Sequence, residues 1–112
     1  MIHEMRLDNE AFIKVKSGTK TVELRLLDEK RKAVHIGDII TFENRKDHEK
    51  IDVKVTDLFT SKDFKEIYEK YSMESLGYDE GANASYKDMN EFYSEEEIQK
   101  YGAVAISIKK VN

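Results

Sequence analysis

Four residues in one short stretch carry the most chemistry in this chain: Lys20, Thr21, Glu23 and Arg25. In a β-strand, residues two apart share a face. Thr21, Glu23 and Arg25 therefore project together while Val22 and Leu24 turn into a core. A base and its sugar–phosphate offer such a face useful partners. Lysine and arginine can meet a phosphate or a carbonyl, and a glutamate can accept from an exocyclic amine such as that of cytosine. Spacing alone favours a plainer account, a same-face Glu23–Arg25 ion pair on an exposed strand with Lys20 in solvent.

Fewer options arise elsewhere. Tyr78 and Tyr86 flank a polar segment at 75–84 that reads as a loop. Aromatic rings there could stack on bases, although tyrosines more often cap a core with the hydroxyl outward. Arg45 and Lys46 share a charged loop with Asp47 and Glu49, which reads as solvated. His3, His35 and His48 have no metal-ligand spacing, so no metal is expected. The chain has no phosphate-cradling glycine loop, dinucleotide fingerprint or nucleophile elbow, and no cofactor is expected. Cysteine is absent, which excludes disulfides and thiolate chemistry.

The elements that must position these residues follow from periodicity and punctuation. Residues 2–7 alternate as a short strand. Asp8 or Asn9 can cap a helix over about 9–17, with Phe12, Ile13 and Val15 as its apolar positions, and Ser17-Gly18 ends it. Thr21 to Leu27 is the half-buried strand with the polar face. Ile36-Gly37-Asp38 turns into a strand at Ile39–Phe42, and Ile51, Val53 and Val55 begin another that runs towards Phe59. Asp63 caps a helix with Phe64, Ile67, Tyr68 and Tyr71 on one face. A helical stretch over 86–93 should turn Met89, Phe92 and Tyr93 inward. Ser94 and Glu97 form a capping box for a last helix that stops at Gly102, before the strand 103–111. Strands at hairpin spacing with helices in two clusters suggest a mostly antiparallel sheet or small barrel plugged by helices, an α+β fold. Val22, Leu24, Ile39, Phe42, Val53, Val55, Val104 and Ile106 are expected to share one core.

The 112 residues fit one compact domain, 1–112. The net charge of −4 is unevenly spread: residues 14–32 hold 7 Lys/Arg against 3 Asp/Glu, a local excess that could meet a phosphate. No apolar run approaches the ~20 residues of a membrane span. The N-terminus does not read as a signal peptide, so no membrane partner and a cytoplasmic location are expected.

Three motifs carry a family resemblance. They are Phe12…Lys16-Ser17-Gly18-Thr19-Lys20-Thr21-Val22-Glu23-Leu24-Arg25, then Ile36-Gly37-Asp38-Ile39-Ile40-Thr41-Phe42, and finally Phe92-Tyr93 with a short acidic helix and Tyr101-Gly102-Ala103-Val104-Ala105-Ile106. In this order the chain resembles the ASCH family of PUA-like proteins. The resemblance implies a mostly antiparallel β-barrel of about five or six strands with helices at its ends. It also implies binding of RNA or a nucleotide in a cleft, with Lys20, Glu23 and Arg25 as ligand-binding residues; the Tyr78 ring at the polar loop is added to them as a residue that can stack on a base. A bacterial member of the family is an amidohydrolase that deacetylates acetylated cytidine, with a lysine base, a threonine nucleophile and a glutamate acid. Lys20 matches that lysine. The threonine's position falls on Glu23, leaving Thr21 as its neighbour. The acid would be Glu80, with Glu74 and Asp79 as rivals. The alternative function is therefore a small amidohydrolase acting through Lys20, Thr21, Glu23 and Glu80.

Overall fold

The structure, a computed structural model, describes residues 1–111. The strands are β1 (Ile2–Leu7), β2 (Val22–Leu26), β3 (Ile39–Asn44), β4 (Lys50–Ser61) and β5 (Ala103–Lys110). The helices are α1 (Asn9–Ser17), α2 (Glu29–Lys32), α3 (Phe64–Lys70), α4 (Met73–Leu76) and α5 (Glu95–Tyr101), with a 3₁₀ turn at Tyr86–Glu91 before α5. All five strands form one sheet in the order β1-β3-β4-β5-β2. β1 and β3 run parallel, and every other pairing is antiparallel. The sheet is mixed and curls into a half-barrel. A register shift between Val55 and Asp57 lets the long strand β4 bend through that curl, as a bulge does.

Two apolar layers hold the sheet, one on each face. Inside the curl, Met5 and Leu7 of β1, Ile40 and Phe42 of β3, Val53 and Val55 of β4, and Val104 and Ile106 of β5 pack against Phe12 and Val15 of α1. Outside, Val22, Leu24 and Leu26 of β2 and Ala103 and Ala105 of β5 lie under Phe64 and Ile67 of α3, Leu76 of α4, Met89 and Ile98. The expected single core is thus two. Val22 and Leu24 belong to the outer layer, and Ile39 is half-buried while its neighbour Ile40 is fully enclosed. Strand alternation says which residues share a face but not which side of the sheet that face meets.

The consequence for β2 is decisive. Glu23 pairs with Ile106 and Arg25 with Val104, so both charged residues stand on the concave side of the sheet, with the inner core. The expected exposed polar face is covered: Glu23 is buried and Arg25 nearly so.

Local signals place the rest. Gly18 takes the left-handed conformation that closes α1. The capping box of α5 is complete: the Glu97 amide donates to Ser94 Oγ and the Ser94 amide to Glu97 Oε1, both at 3.1 Å. Four further expectations differ. α2 forms where no helix was expected, α4 occupies the start of the expected 75–84 loop, and Ile13 of α1 and Phe92 face outward. Both helices are single turns, held by side-chain caps from Asp28 and Ser72 rather than by an apolar stripe.

Truncating Leu24 to Ala should cost about 2–5 kcal/mol of unfolding free energy in urea titration. Lys109→Ala, on the exposed end of β5, should stay within about 0.5 kcal/mol of the parent.

Candidate functional site

Glu23 lies between two cations. Arg25 Nε donates to Glu23 Oε2 at 2.9 Å, and its terminal nitrogen Nη2 sits 2.8 Å from the same oxygen. On the other side Lys20 Nζ lies 3.4 Å from Oε1, which also accepts the Leu24 amide at 3.3 Å. Lys20 is itself buried, donating to the carbonyls of Val22 at 3.0 Å and Leu76 at 2.7 Å. Three oxygens therefore surround a nitrogen with three protons to give. Burial is the strongest single influence on the Glu23 carboxyl and pushes it up. The Lys20 ammonium and the Arg25 guanidinium together outweigh it and hold the group below the ordinary carboxylate value.

This chain of charges also fastens separate pieces of the fold. Arg25 Nη2 donates to the Arg6 carbonyl at 2.8 Å, which joins the two edge strands of the half-barrel, β2 and β1. Lys20 takes one of the free carbonyls at the C-terminus of α4, and Lys14 Nζ takes the next, from Gly77, at 2.7 Å. Lys14 lies 3.0 Å from Asp79, whose hydrogen bond raises the Lys14 ammonium above its usual value. Gly77 has φ +107°, and a Cβ there would stand 3.1 Å from Lys20 Cδ. The glycine is required both by the turn and by the lysine stem lying against it.

Above this floor opens a cleft of about 560 Å³. The buried Lys20, Glu23 and Arg25 line it with Leu76 and Gly77, and so do Lys14, Tyr78, Asp79, Arg6, Arg45, Phe92 and Tyr93. Tyr78 is fixed by its hydroxyl, which donates to Asp88 Oδ2 at 2.7 Å. Its single proton is thereby used, so Tyr68 must donate to it across their 2.7 Å contact. Burial, with these two partners adding, drives the Tyr78 phenol far above its ordinary value. Tyr93 stacks on Phe64 and carries Phe92 beside it, leaving the Phe92 ring 61% exposed.

The structure thus gathers Lys20, Glu23, Arg25 and Tyr78 around one cleft. Thr21 and Glu80 are not among its lining residues. Thr21 precedes β2, is exposed, and uses its backbone to hold the Ser75 carbonyl and the Ile108 amide. Of the loop acids, Asp79 lines the cleft and Glu74 and Glu80 do not. Sequence reasoning missed Lys14, Tyr68, Asp88 and the outward turn of Phe92. The partnering of Tyr68, Tyr78 and Asp88 spans three elements and leaves no local signature. Among the described residues no group of three or more His, Cys, Asp or Glu side chains converges as a metal site.

A family model described as the ASCH domain matches residues 5–112. The chain belongs to the ASCH domain family. That family has a PUA-like fold and is thought to bind RNA. Among solved structures, the crystal structure of the hypothetical protein PH0355 is 37% identical with a TM-score of 0.83, covering 99% of this chain and 100% of its own. Protein PF0455 from Pyrococcus furiosus, solved by NMR, is 35% identical with a TM-score of 0.72, covering 100% of this chain and 99% of its own. A serine-to-alanine variant of ZmASCH from Zymomonas mobilis shares the fold at 18% identity and a TM-score of 0.69, over 99% of this chain and 73% of its own. No curated protein matches the chain. No helix among the described residues is long and apolar enough to cross a membrane.

Two outcomes test the charged floor. Lys20→Met leaves Glu23 buried with one cation in place of two and should destabilise the fold by about 3–5 kcal/mol. A carboxyl held below its unfolded value stabilises the folded state fully above about pH 4.3 and loses that contribution as pH falls through the folded value. The stability gap between the parent and Glu23→Gln should therefore be widest near neutrality and narrow below about pH 4, as read from urea midpoints across pH. Separately, Gly77→Ala should cost about 1–3 kcal/mol from its positive φ.

Proposed function

We propose that the cleft binds a nucleotide unit of RNA, with the base entering over the Lys20–Glu23–Arg25 floor. The observation that carries this reading is an exposed aromatic ring, Phe92, beside a floor of polar groups whose positions are already fixed. Base–aromatic stacking is indifferent to sequence and contributes about 1–3 kcal/mol per base. The charged floor supplies direction. Glu23 Oε1 holds only two long contacts, at 3.3 and 3.4 Å, and keeps acceptor capacity for an exocyclic amine. Arg25 can offer a guanidinium edge to a carbonyl, and the Tyr78 ring forms a wall.

The charge of the cleft points the same way. Its lining holds five cations, Arg6, Lys14, Lys20, Arg25 and Arg45, against six carboxylates at Asp8, Glu10, Glu23, Asp79, Asp88 and Glu91. A bare polyanion gains little from such a mixture. A base, which presents donors and acceptors together, gains more. Hydrolysis of an acylated nucleoside finds less support. It needs a free lysine amine and a hydroxyl beside it, whereas Lys20 Nζ already donates to two carbonyls and pairs with Glu23, and Thr21 is not among the cleft's lining residues.

Fluorescence anisotropy with short labelled single-stranded RNAs tests the reading. Binding is expected, with Phe92→Ala weakening it about fivefold or more, in line with the loss of one stacked base. Arg45→Ala should weaken it less. Incubation with acetylated cytidine should give no cytidine. Binding unaffected by Phe92→Ala and Arg45→Ala would overturn the assignment of this cleft, and rapid release of cytidine would replace binding by catalysis.

A further inference from the structure

A second concavity of about 500 Å³ adjoins the cleft, and its character is different. It lies along β1 and β3 beside α2. Its lining carries six cations, Arg6, Arg25, Lys30, Arg31, Arg45 and Lys50, against two carboxylates, Glu4 and Glu43. Three of those cations, Arg6, Arg25 and Arg45, line the cleft as well. The two concavities therefore share a wall of arginines.

The sheet register explains how the cations come together. Arg6 of β1 pairs with Glu43 of β3, and Glu43 pairs with Lys50 of β4, so the three stand in a row across the strands. Alternation turns Met5 and Leu7 into the inner core and leaves Glu4 and Arg6 on the opposite face. α2 brings Lys30 and Arg31 to the same place. Lys30 Nζ donates to the Glu4 carbonyl at 2.9 Å, which pins the short helix to the open edge of β1. Half of these cations are paired with carboxylates, Arg25 with Glu23, Arg31 with Asp28 and Arg45 with Asp8, and Glu43 is taken by His48. Among the described residues no carboxylate lies within 4.0 Å of Arg6, Lys30 or Lys50.

We infer that this groove is the path of the phosphodiester backbone leaving the cleft, so that the ligand is a single-stranded RNA segment of several nucleotides rather than a free nucleoside or nucleotide. The inference rests on the reading of the cleft as a base site and extends it. The mixed charge of the cleft suits a base, and the cationic groove suits the phosphates that follow it. The shared arginines sit where base and backbone part. Phosphate contacts of this kind give affinity and register without reading sequence. They also release counterions, so each contact adds to the salt dependence of binding.

The test compares ligands by length and charge on the full chain. Cytidine 5′-monophosphate and single-stranded oligoribonucleotides of two to eight residues are titrated against the parent and against the double variant Lys30→Gln, Lys50→Gln, with thermal melting to confirm folding. Glutamine at position 30 can still donate to the Glu4 carbonyl. The expected result is affinity that rises with length over the first few nucleotides. The double variant should bind the mononucleotide as the parent does and bind the longer oligomer on the order of tenfold more weakly at low salt. Its slope of log affinity against log salt should be shallower by about 1.4, from two lost contacts to a single strand. Mononucleotide binding with no gain on lengthening, or an oligomer affinity unchanged in the double variant, overturns the groove and leaves the cleft standing. Oligomer binding that is lost in the double variant but indifferent to Phe92→Ala supports the groove and overturns the cleft. Absence of binding to every ligand overturns both.

Discussion

One buried carboxylate organises this molecule. Glu23 stands on the concave side of an edge strand, where β-strand alternation would otherwise bring an apolar side chain, and it survives there because Lys20 and Arg25 hold it from both sides. Burying a charge is expensive unless it is paired and hydrogen-bonded, and neither cation alone fills the positions around two carboxylate oxygens. Each cation then reaches a further element: Arg25 the carbonyl of Arg6 on the opposite edge of the sheet, Lys20 the end of α4. The half-barrel, the docking of the 75–79 turn and the floor of the cleft are in this sense one arrangement.

That arrangement bears on function through rigidity. A base-binding surface gains affinity when its polar groups need no reordering on binding, and ion pairs already buried and cross-braced meet that condition. The rim is built differently. Phe92, Arg45 and Asp79 are exposed, with Arg45 beside Asp8 and Asp79 beside Lys14. A fixed floor with an adaptable rim suits a ligand whose base is held closely while its flanking chain varies.

Much of this was legible in the sequence. The strands expected at 2–7, 21–27 and 39–42, the helix closed by Gly18 and the capping box at Ser94–Glu97 all follow from period and punctuation, which are local properties, and the structure moves their ends by no more than two residues. The grouping of Lys20, Glu23 and Arg25 followed from spacing together with the family resemblance. Less legible was the depth at which these residues lie. A polar strand face looks solvated unless one knows that the turn after α4 closes over it, and that turn is remote in sequence, with the Leu76 carbonyl that Lys20 holds 56 positions away. For the same reason one core was expected where the alanines of β5 admit a second layer of helices. The side of the cleft on which Phe92 falls depends on a 3₁₀ turn, whose threefold spacing shifts a side chain off the face that a regular helix would give it.

The central claim is that the floor around Glu23 is the bottom of an RNA-binding cleft, and backbone amide NMR tests it most directly. A ¹⁵N-labelled sample is titrated with a short single-stranded RNA. The account predicts that the largest shift changes fall on residues 20–25, 76–79 and 91–93, and that they saturate together with one affinity. Changes confined to the outer helices α3 and α5, or scattered weak changes that vanish at physiological salt, would contradict it.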